Sequence, residues 1–217
     1  MIQYLNHGLT ICFIILSICS FCRAERSENL DLPKPRTTGG RPLMEVLGDR
    51  RSSRQFSRKE IALQTLSDML WAAWGVNRPE SGKRTAPSAV NWQEIDVYVA
   101  SAQGLYVYDA FMHSLIQVLS EDIRGSTGTQ EFIKDAPVNL IFVADYSRMG
   151  RASERDKDFY SAADAGFISQ NVYLFCASEG LVTVVRGALN RAELARIMKL
   201  KPEQKIILAQ TVGYPID

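Results

Sequence analysis

A cluster of basic and hydroxyl side chains near the start of the chain has the composition of an anion-binding turn. Arg50, Arg51, Ser52 and Arg54 lie within five residues, directly after a short helix predicted over 42–49. A guanidinium keeps its charge and offers paired N–H donors that match two phosphate oxygens. Because the chain turns here, free backbone N–H groups add further donors. The cluster predicts a phosphate-binding turn, and a solvated basic turn is the alternative interpretation.

A second polar segment, residues 76–94, follows the next predicted helix and precedes a strand. It carries Pro87, Ser88, Ala89 and Asn91 shortly before that strand. A loop of this length is uncommon inside a compact domain, and long ordered loops are usually functional. We therefore expect it to contribute to a site, the alternative being that Ser88 and Asn91 only stabilise turns.

The composition is that of a globular protein with one sizeable core. The chain has 217 residues, of which 46% are hydrophobic and 23% are charged. A net charge of +1 gives no general attraction to nucleic acid or to an anionic membrane surface, so no nucleic-acid partner is expected. The basic character is local instead, because residues 34–60 hold eight basic side chains against three acidic ones.

The first residues have the pattern of an export signal. An apolar run over 9–21 is too short to span a bilayer comfortably, and Ala24 ends a plausible cleavage motif. We predict a signal peptide over 1–24 and an exported, periplasmic protein. Since no Lys or Arg precedes the apolar run, an uncleaved membrane anchor is the alternative. Residues 25–41 predict an extended N-terminal arm, and residues 42–217 form the predicted domain.

The remaining cysteine and histidine content gives little chemistry. Three of the four cysteines fall in the leader, which leaves Cys176, and His113 is the only histidine after the leader. No internal disulfide, metal site or Cys–His nucleophile is expected from this set. Reaction chemistry in this chain would therefore require a bound cofactor.

The hydrophobic pattern predicts an α+β domain. Apolar periodicity indicates helices over 42–49, 61–74, 159–178 and 190–198, and strands over 95–99, 104–109, 115–119, 138–144, 182–185 and 206–212. The helix over 159–178 is apolar around most of its circumference, so we expect it to be central. The glycine motifs of Rossmann and P-loop proteins do not occur.

Four segments, taken in order, carry a resemblance to a known family. They are residues 50–56, residues 86–93, residues 164–171 and residues 179–187. Together they resemble the FMN-dependent nitroreductase family, in particular its SagB-type (azoline-oxidase-like) branch. The resemblance implies a three-layer α-β-α fold with a mainly antiparallel central sheet. It also implies a homodimer with FMN at the subunit interface.

The resemblance assigns roles to individual residues. Arg50, Arg51 and Ser52 match positions that hold the FMN phosphate and ribityl chain. Arg54 matches a basic position near the pyrimidine edge of the flavin, where a cation would stabilise the negative charge of the reduced ring, and is the implied catalytic residue. The other implied cofactor contacts are Pro87, Ser88, Ala89 and Asn91 from the second subunit, Gln130, and the strand end Val184, Val185, Arg186 and Gly187.

The implied activity is that of an exported oxidoreductase. Such an enzyme takes a hydride from NAD(P)H and passes it, in a ping-pong reaction through flavin N5, to a nitroaromatic, quinone or heterocyclic substrate. A non-catalytic flavin- or ligand-binding protein of the same fold is the alternative. One departure favours it: family members commonly carry basic residues after the last strand, and this chain has none beyond Gly213. The candidate substitutes are Arg41, Lys83, Arg84 and Arg186.

Overall fold

The computed structural model describes residues 29–216, so the predicted signal peptide and the first residues of the predicted arm lie outside the described residues. The strands are β1 (Leu30–Asp31), β2 (Val76–Arg78), β3 (Lys83–Arg84), β4 (Ile95–Ser101), β5 (Gly104–Asp109), β6 (Ser114–Leu119), β7 (Val138–Asp145), β8 (Val182–Arg186) and β9 (Gln204–Gly213). The helices are α1 (Leu43–Asp49), α2 (Leu63–Trp74), α3 (Glu154–Ser178) and α4 (Arg191–Ile197). Within residues 29–216, no helix is long and apolar enough to cross a membrane.

Seven strands form the central sheet in the order β1-β6-β5-β4-β7-β9-β8. Every neighbouring pair in this order is antiparallel. The nearly continuous apolar run of β7 places it at the interior of the sheet, where its residues 138–144 are buried. The structure confirms the predicted α+β class and the mainly antiparallel sheet.

Helices cover both faces of the sheet. Along β7, Leu140 and Phe142 pack into one core with residues of α2 and α3, whereas Ile141 and Val143 pack into a second core with Leu194 of α4. This division follows from the strand geometry, because successive side chains point to opposite faces. The three layers are therefore α2 and α3, the sheet, and α4.

The long helix α3 is less enclosed than its sequence predicts. It begins at Glu154 after Ser153, whose side chain accepts a hydrogen bond from the backbone N–H of Asp156. One stripe of the helix faces away from the core, and its residues Phe159 and Phe167 have exposed fractions of 66% and 48%. The prediction that α3 is central therefore holds for the face that packs on the sheet and α2, whereas the opposite stripe is open in a single chain.

The predicted long loop over 76–94 contains local structure of its own. Strands β2 and β3 pair as a short antiparallel hairpin, and a 3-10 turn follows over Ala89–Asn91. Gly75, predicted as the end of α2, is the C-cap residue, but its φ of −70° is not left-handed. A side chain at this position would collide with Trp71, so glycine is needed here for space.

Short segments lie along both edges of the sheet. At one edge, β1 pairs with β6 through two residue pairs. At the other edge, Ser52 forms an isolated parallel bridge with Thr183 of β8, and the Ser53 N–H donates to the Thr183 carbonyl at 3.0 Å. The basic turn after α1 is therefore fixed to the outer edge of β8.

Asp68 of α2 anchors the described part of the N-terminal arm. Its buried carboxylate accepts hydrogen bonds from the backbone and side chain of Arg36, each at 2.7 Å, and from Gln64 at 2.9 Å. Burial alone raises the pKa of Asp68, but these hydrogen bonds outweigh it and hold the pKa below its ordinary value. His113 provides a second anchor for the arm, because its backbone carbonyl accepts a hydrogen bond from the Leu32 N–H.

We expect Asp68→Asn to loosen the arm. The variant removes charge-assisted hydrogen bonds and lowers the free energy of unfolding by about 1.5–3 kcal/mol. Because the pKa of Asp68 is lowered, its contribution in the native protein is present above the ordinary carboxyl pKa and is lost as the pH falls through the lowered value. Chemical denaturation at several pH values measures both effects, with Asp31→Asn as the exposed control. Equal stability of the two variants would contradict the anchor.

Candidate functional site

The basic turn begins where α1 ends. The Arg50 N–H donates to the Val46 carbonyl at 2.9 Å and completes the last turn of the helix. The chain then extends along β8, so that Arg51, Ser52 and Arg54 are exposed and Arg50 is half-buried. The structure therefore brings the predicted basic turn next to the predicted strand end at 184–187.

Tyr173 of α3 joins these two segments. Its hydroxyl lies 2.8 Å from the Ser52 Oγ and accepts a hydrogen bond from the Val185 N–H at 3.0 Å. Its ring lies under the Arg50 guanidinium, with 5.3 Å between the Arg50 Cζ and the ring centroid. Sequence analysis assigned Tyr173 only to the apolar pattern of the helix. The signal that could have identified it is its hydroxyl group, because a tyrosine at a core position needs a polar partner.

The cluster retains its positive charge. Within residues 29–216, Arg50, Arg51 and Arg54 form no ion pair with a carboxylate, in contrast to Arg58, which pairs with Asp135 at 2.7 Å. A cavity of about 380 Å³ lies beside the cluster and is lined in part by Arg51, Tyr173 and Thr183. Uncompensated guanidinium groups at an open cavity favour an anionic ligand.

Arg186 has a different role from the exposed arginines. Its side chain is only 5% exposed and donates to Thr211 Oγ1, the Thr127 carbonyl and Asn139 Oδ1, at 2.9, 2.8 and 3.1 Å. Burial lowers the pKa of Arg186 to about 10. The guanidinium thus faces the interior, and only the backbone of this residue is available to a ligand beside β8.

Gln130 and Gly128 lie against the same buried guanidinium. Gln130 Oε1 accepts from Arg186 at 3.4 Å, and its amide nitrogen donates to the Ala188 carbonyl at 3.4 Å. A Cβ at Gly128 would collide with the Arg186 guanidinium, so this position requires glycine. Gln130 is therefore placed near the C-terminal end of β8.

The outer edge of β8 offers one backbone donor beyond those already used. The Val185 N–H donates to the Tyr173 hydroxyl, and the backbone N–H and C=O groups of Val184 and Arg186 face β9. Alternate residues of a strand point the same way, so Gly187 directs its N–H to the same side as Val185. Gly187 is exposed, and a Cβ there would meet nothing within 4 Å.

The predicted loop residues lie elsewhere on the chain. Pro87 and Asn91 are exposed, Ser88 Oγ donates to Glu94 at 3.3 Å, and the Ala89 N–H donates to Asp164 of α3 at 2.9 Å. Asp164 and Tyr173 are nine positions apart on α3, which corresponds to about 13.5 Å along the helix. One chain alone therefore does not bring the loop into contact with the basic turn. Sequence analysis did not identify Glu94, and it included Asp164 only as the first residue of the segment 164–171 and not as a site residue.

Most of the candidate substitutes for the missing C-terminal cations are already engaged. Arg41 pairs with Asp49 at 2.7 Å, and Arg84 is packed over Trp74 and donates to Gln93. The Arg186 side chain is buried, as described above. Lys83 is exposed, and of these four it is the one whose side chain the rest of the described chain leaves available.

Comparisons with known proteins agree with the fold. The sequence model of the nitroreductase family matches residues 47–214. The crystal structure of a candidate nitroreductase from Ralstonia eutropha superimposes with a TM-score of 0.84 and 46% identity, over 87% of this chain and 90% of that one. A candidate nitroreductase of Methanocaldococcus jannaschii is 35% identical over 186 residues, 81% of this chain and 92% of its own length. The FMN reductase (NAD(P)H) of Bacillus subtilis is 27% identical over 189 residues, 81% of this chain and 66% of its own.

We expect Tyr173→Phe to weaken the junction between the basic turn and β8. The variant keeps the ring under Arg50 but leaves the Val185 N–H and the Ser52 hydroxyl without their partner. The free energy of unfolding should fall by about 1–3 kcal/mol, the cost of leaving a buried donor unsatisfied. Hydrogen exchange of the backbone amides should also become faster at residues 50–54 and 183–186. Tyr214→Phe is the control, because it removes a tyrosine hydroxyl that does not join these two segments. Unchanged exchange in both segments would contradict the role of Tyr173.

Proposed function

The chain belongs to the nitroreductase family of oxidoreductases, and we propose that it is an FMN-dependent enzyme that uses NAD(P)H to reduce a nitroaromatic, quinone or heterocyclic substrate. The observation that carries this proposal is the set of three guanidiniums in the basic turn beside β8, which form no ion pair within residues 29–216 and of which Arg51 lines a cavity. The similarity to an FMN reductase supports the choice of cofactor.

The residues of the basic turn fit the phosphate end of FMN. The guanidinium groups of Arg50 and Arg51 can each donate two hydrogen bonds to a pair of phosphate oxygens, and Ser52 supplies a hydroxyl donor. Tyr173 orients Arg50 and Ser52 before the ligand arrives, so less side-chain entropy is lost on binding. The Arg41–Asp49 ion pair closes the neighbouring side of the cavity.

The residues along β8 fit the ring end. Bound FMN supplies hydride transfer through N5. Arg54 would provide the positive charge that stabilises the reduced ring, since no carboxylate pairs with Arg54 among residues 29–216. The free Gly187 N–H is the donor we assign to N5, with Val184, Val185, the Arg186 backbone and Gln130 forming the adjacent surface.

We propose that the site is completed by a second copy of the chain. Pro87, Ser88, Ala89 and Asn91 would then contact the FMN held by the partner, which accounts for their separation from the basic turn within one chain. Exposed apolar side chains support this assembly: they are Leu43 (60%), Met44 (77%) and Leu47 (43%) on α1 and Phe159 and Phe167 on α3. Sedimentation velocity would give the mass, and a monomer that binds FMN stoichiometrically would contradict the shared site.

The export signal and the branch of the family are part of the same proposal. Residues 1–24 support export to the periplasm with cleavage after Ala24, and the order of the four sequence segments supports the SagB-type branch. The intact mass of protein recovered from the periplasm tests the first point. Oxidation of an azoline-containing peptide, assayed beside nitroaromatic reduction, tests the second.

Absorbance spectroscopy tests the function directly. We expect the purified protein to show the spectrum of bound flavin, and anaerobic mixing with NADPH should bleach it. Bound flavin that NADPH and NADH leave oxidised would support a non-catalytic flavin-binding protein. A protein that stays colourless after incubation with excess FMN would rule out the proposal.

We expect Arg50→Ala to weaken FMN binding by about 10- to 150-fold. The variant removes a charge-assisted contact of about 1.5–3 kcal/mol, and each 1.4 kcal/mol is a factor of ten in affinity. Arg58→Ala is the matched control, because Arg58 lies close by in sequence but pairs with Asp135. Titration followed by flavin fluorescence measures both variants, and equal affinity for the two would disprove the phosphate assignment.

Arg54→Ala should act differently from Arg50→Ala. Removing a positive charge beside the ring makes its reduction less favourable, so the midpoint potential becomes more negative by roughly 30 mV for each 1.4 kcal/mol of lost stabilisation. FMN affinity should change less than in Arg50→Ala. Redox titration against a dye of known potential measures the shift, and an unchanged potential would exclude Arg54 from catalysis.

A further inference from the structure

The loop over 87–93 has a strained backbone. Val90, Asn91 and Gln93 all have positive φ values of 53°, 59° and 49°. A left-handed conformation is unfavourable for a residue with a side chain and most of all for a β-branched residue such as Val90. Val90 is also 80% exposed, so its own packing does not compensate for this strain. Contacts elsewhere must therefore hold the loop.

Two buried carboxyl groups supply those contacts. The Ala89 N–H donates to Asp164 Oδ2 at 2.9 Å, and Ser88 Oγ donates to Glu94 Oε2 at 3.3 Å. Ser88 Oγ also accepts from the Gln93 N–H at 2.8 Å, which joins the two ends of the strained segment. Both ends of the loop are thus connected to Glu94 and Asp164.

The surroundings of the two carboxyl groups contain no compensating cation. Glu94 and Asp164 are 0% and 2% exposed, and within residues 29–216 neither forms an ion pair with Lys, Arg or His. The groups that face them are the Ser88 and Ser161 hydroxyls and the backbone N–H groups of Ala89 and Glu94, and the Tyr146 hydroxyl donates its hydrogen bond to Asp158 instead. Within residues 29–216, Glu94 Oε1 has no hydrogen-bond partner.

These surroundings determine the charge of the pair. Burial raises the pKa of Glu94, and the neighbouring Asp164 carboxyl raises it further, while burial also raises the pKa of Asp164. Two adjacent carboxylates in a buried site without a cation cannot both be ionised at low cost. A proton on Glu94 Oε1 would satisfy that oxygen, because Asp164 could then accept it as a hydrogen bond.

We propose that Glu94 is protonated at Oε1 and donates to the Asp164 carboxylate, and that this pair positions the strained loop over 87–93 for contact with the cofactor of the partner subunit. Glu94 and Asp164 are positioning residues, since they act through Ser88 and Ala89. Their role toward the cofactor rests on the proposed function, whereas the shared proton and its effect on the loop do not.

The shared proton makes the loop sensitive to pH. When the loop opens, Glu94 becomes solvated and ionises in the ordinary carboxyl range, so the closed loop binds one more proton than the open loop. As the pH rises from the ordinary carboxyl pKa to the raised pKa of Glu94 in the closed state, the equilibrium constant for loop opening therefore increases by up to about tenfold per pH unit. Below the ordinary carboxyl range Glu94 is protonated in both states, so this constant does not change with pH.

Hydrogen exchange of the full-length protein tests the inference. Protection factors are measured between pH 5 and pH 8 for peptides that cover residues 86–93. We expect protection in the wild-type protein to fall by up to about tenfold per pH unit within this interval. Glu94→Gln should remain protected at every pH, because its amide donates to Asp164 permanently. Glu121→Gln, which removes an exposed carboxyl, should behave as the wild type does.

Two results would overturn the inference: pH-independent protection in the wild type, or the same slope in Glu94→Gln as in the wild type. Asp164→Asn provides a second variant if Glu94→Gln does not fold: its Glu94 keeps the rise in pKa caused by burial but loses the rise caused by Asp164, so the fall in protection should end at a lower pH than in the wild type. FMN affinity is measured over the same pH range, and it should weaken with rising pH in the wild type but not in Glu94→Gln. A wild type that binds no FMN would refute the proposed function and leave the exchange result intact.

Discussion

The arrangement of the site depends on the Tyr173 hydroxyl, which holds the basic turn against β8. The turn itself is short and polar and has no apolar core of its own, so its position has to come from a neighbour. Helix α3 provides that neighbour, because it packs on the sheet and on α2 along one face. The positions of Arg50 and Ser52 are therefore set by the interior of the molecule, although their charged and hydroxyl groups reach its surface.

Arginine is used in two opposite ways within this small region. Arg186 is desolvated but fully engaged by neutral oxygens of Thr127, Asn139 and Thr211, so it ties β8 and β9 to the segment that follows β6. The arginines at 50–54 are exposed or half-buried, and within residues 29–216 none of them pairs with a carboxylate. Like charges held close together oppose folding, so an anion bound beside them would offset that cost.

The sequence predicted those features that depend on local pattern. The continuous apolar run of β7 and the periodicity of α2 gave the correct elements, and residue type alone identified the basic turn. Features that join distant segments were not predictable in this way: Glu94 and Asp164 are 70 positions apart, and the partners of Arg186 lie 25 to 59 positions from it. The hairpin of β2 and β3 was missed because its strands are too short and too polar to show the alternation of apolar and polar residues that indicates a strand. The open stripe of α3 was missed because apolar residues that are exposed and apolar residues in a core look alike in sequence.

The short strand β1 and the partly covered outer edge of β8 have a consequence for the chain during folding and storage. An unpaired strand edge is a template onto which another molecule can add its own strand, and long flat edges are the usual starting points of fibrils. Here β1 is only two residues long, and Ser52 and Ser53 occupy backbone groups on the outer side of β8. The same serine segment that lies in the basic turn thus covers a strand edge that could template aggregation, so we expect damage to this turn to lower solubility.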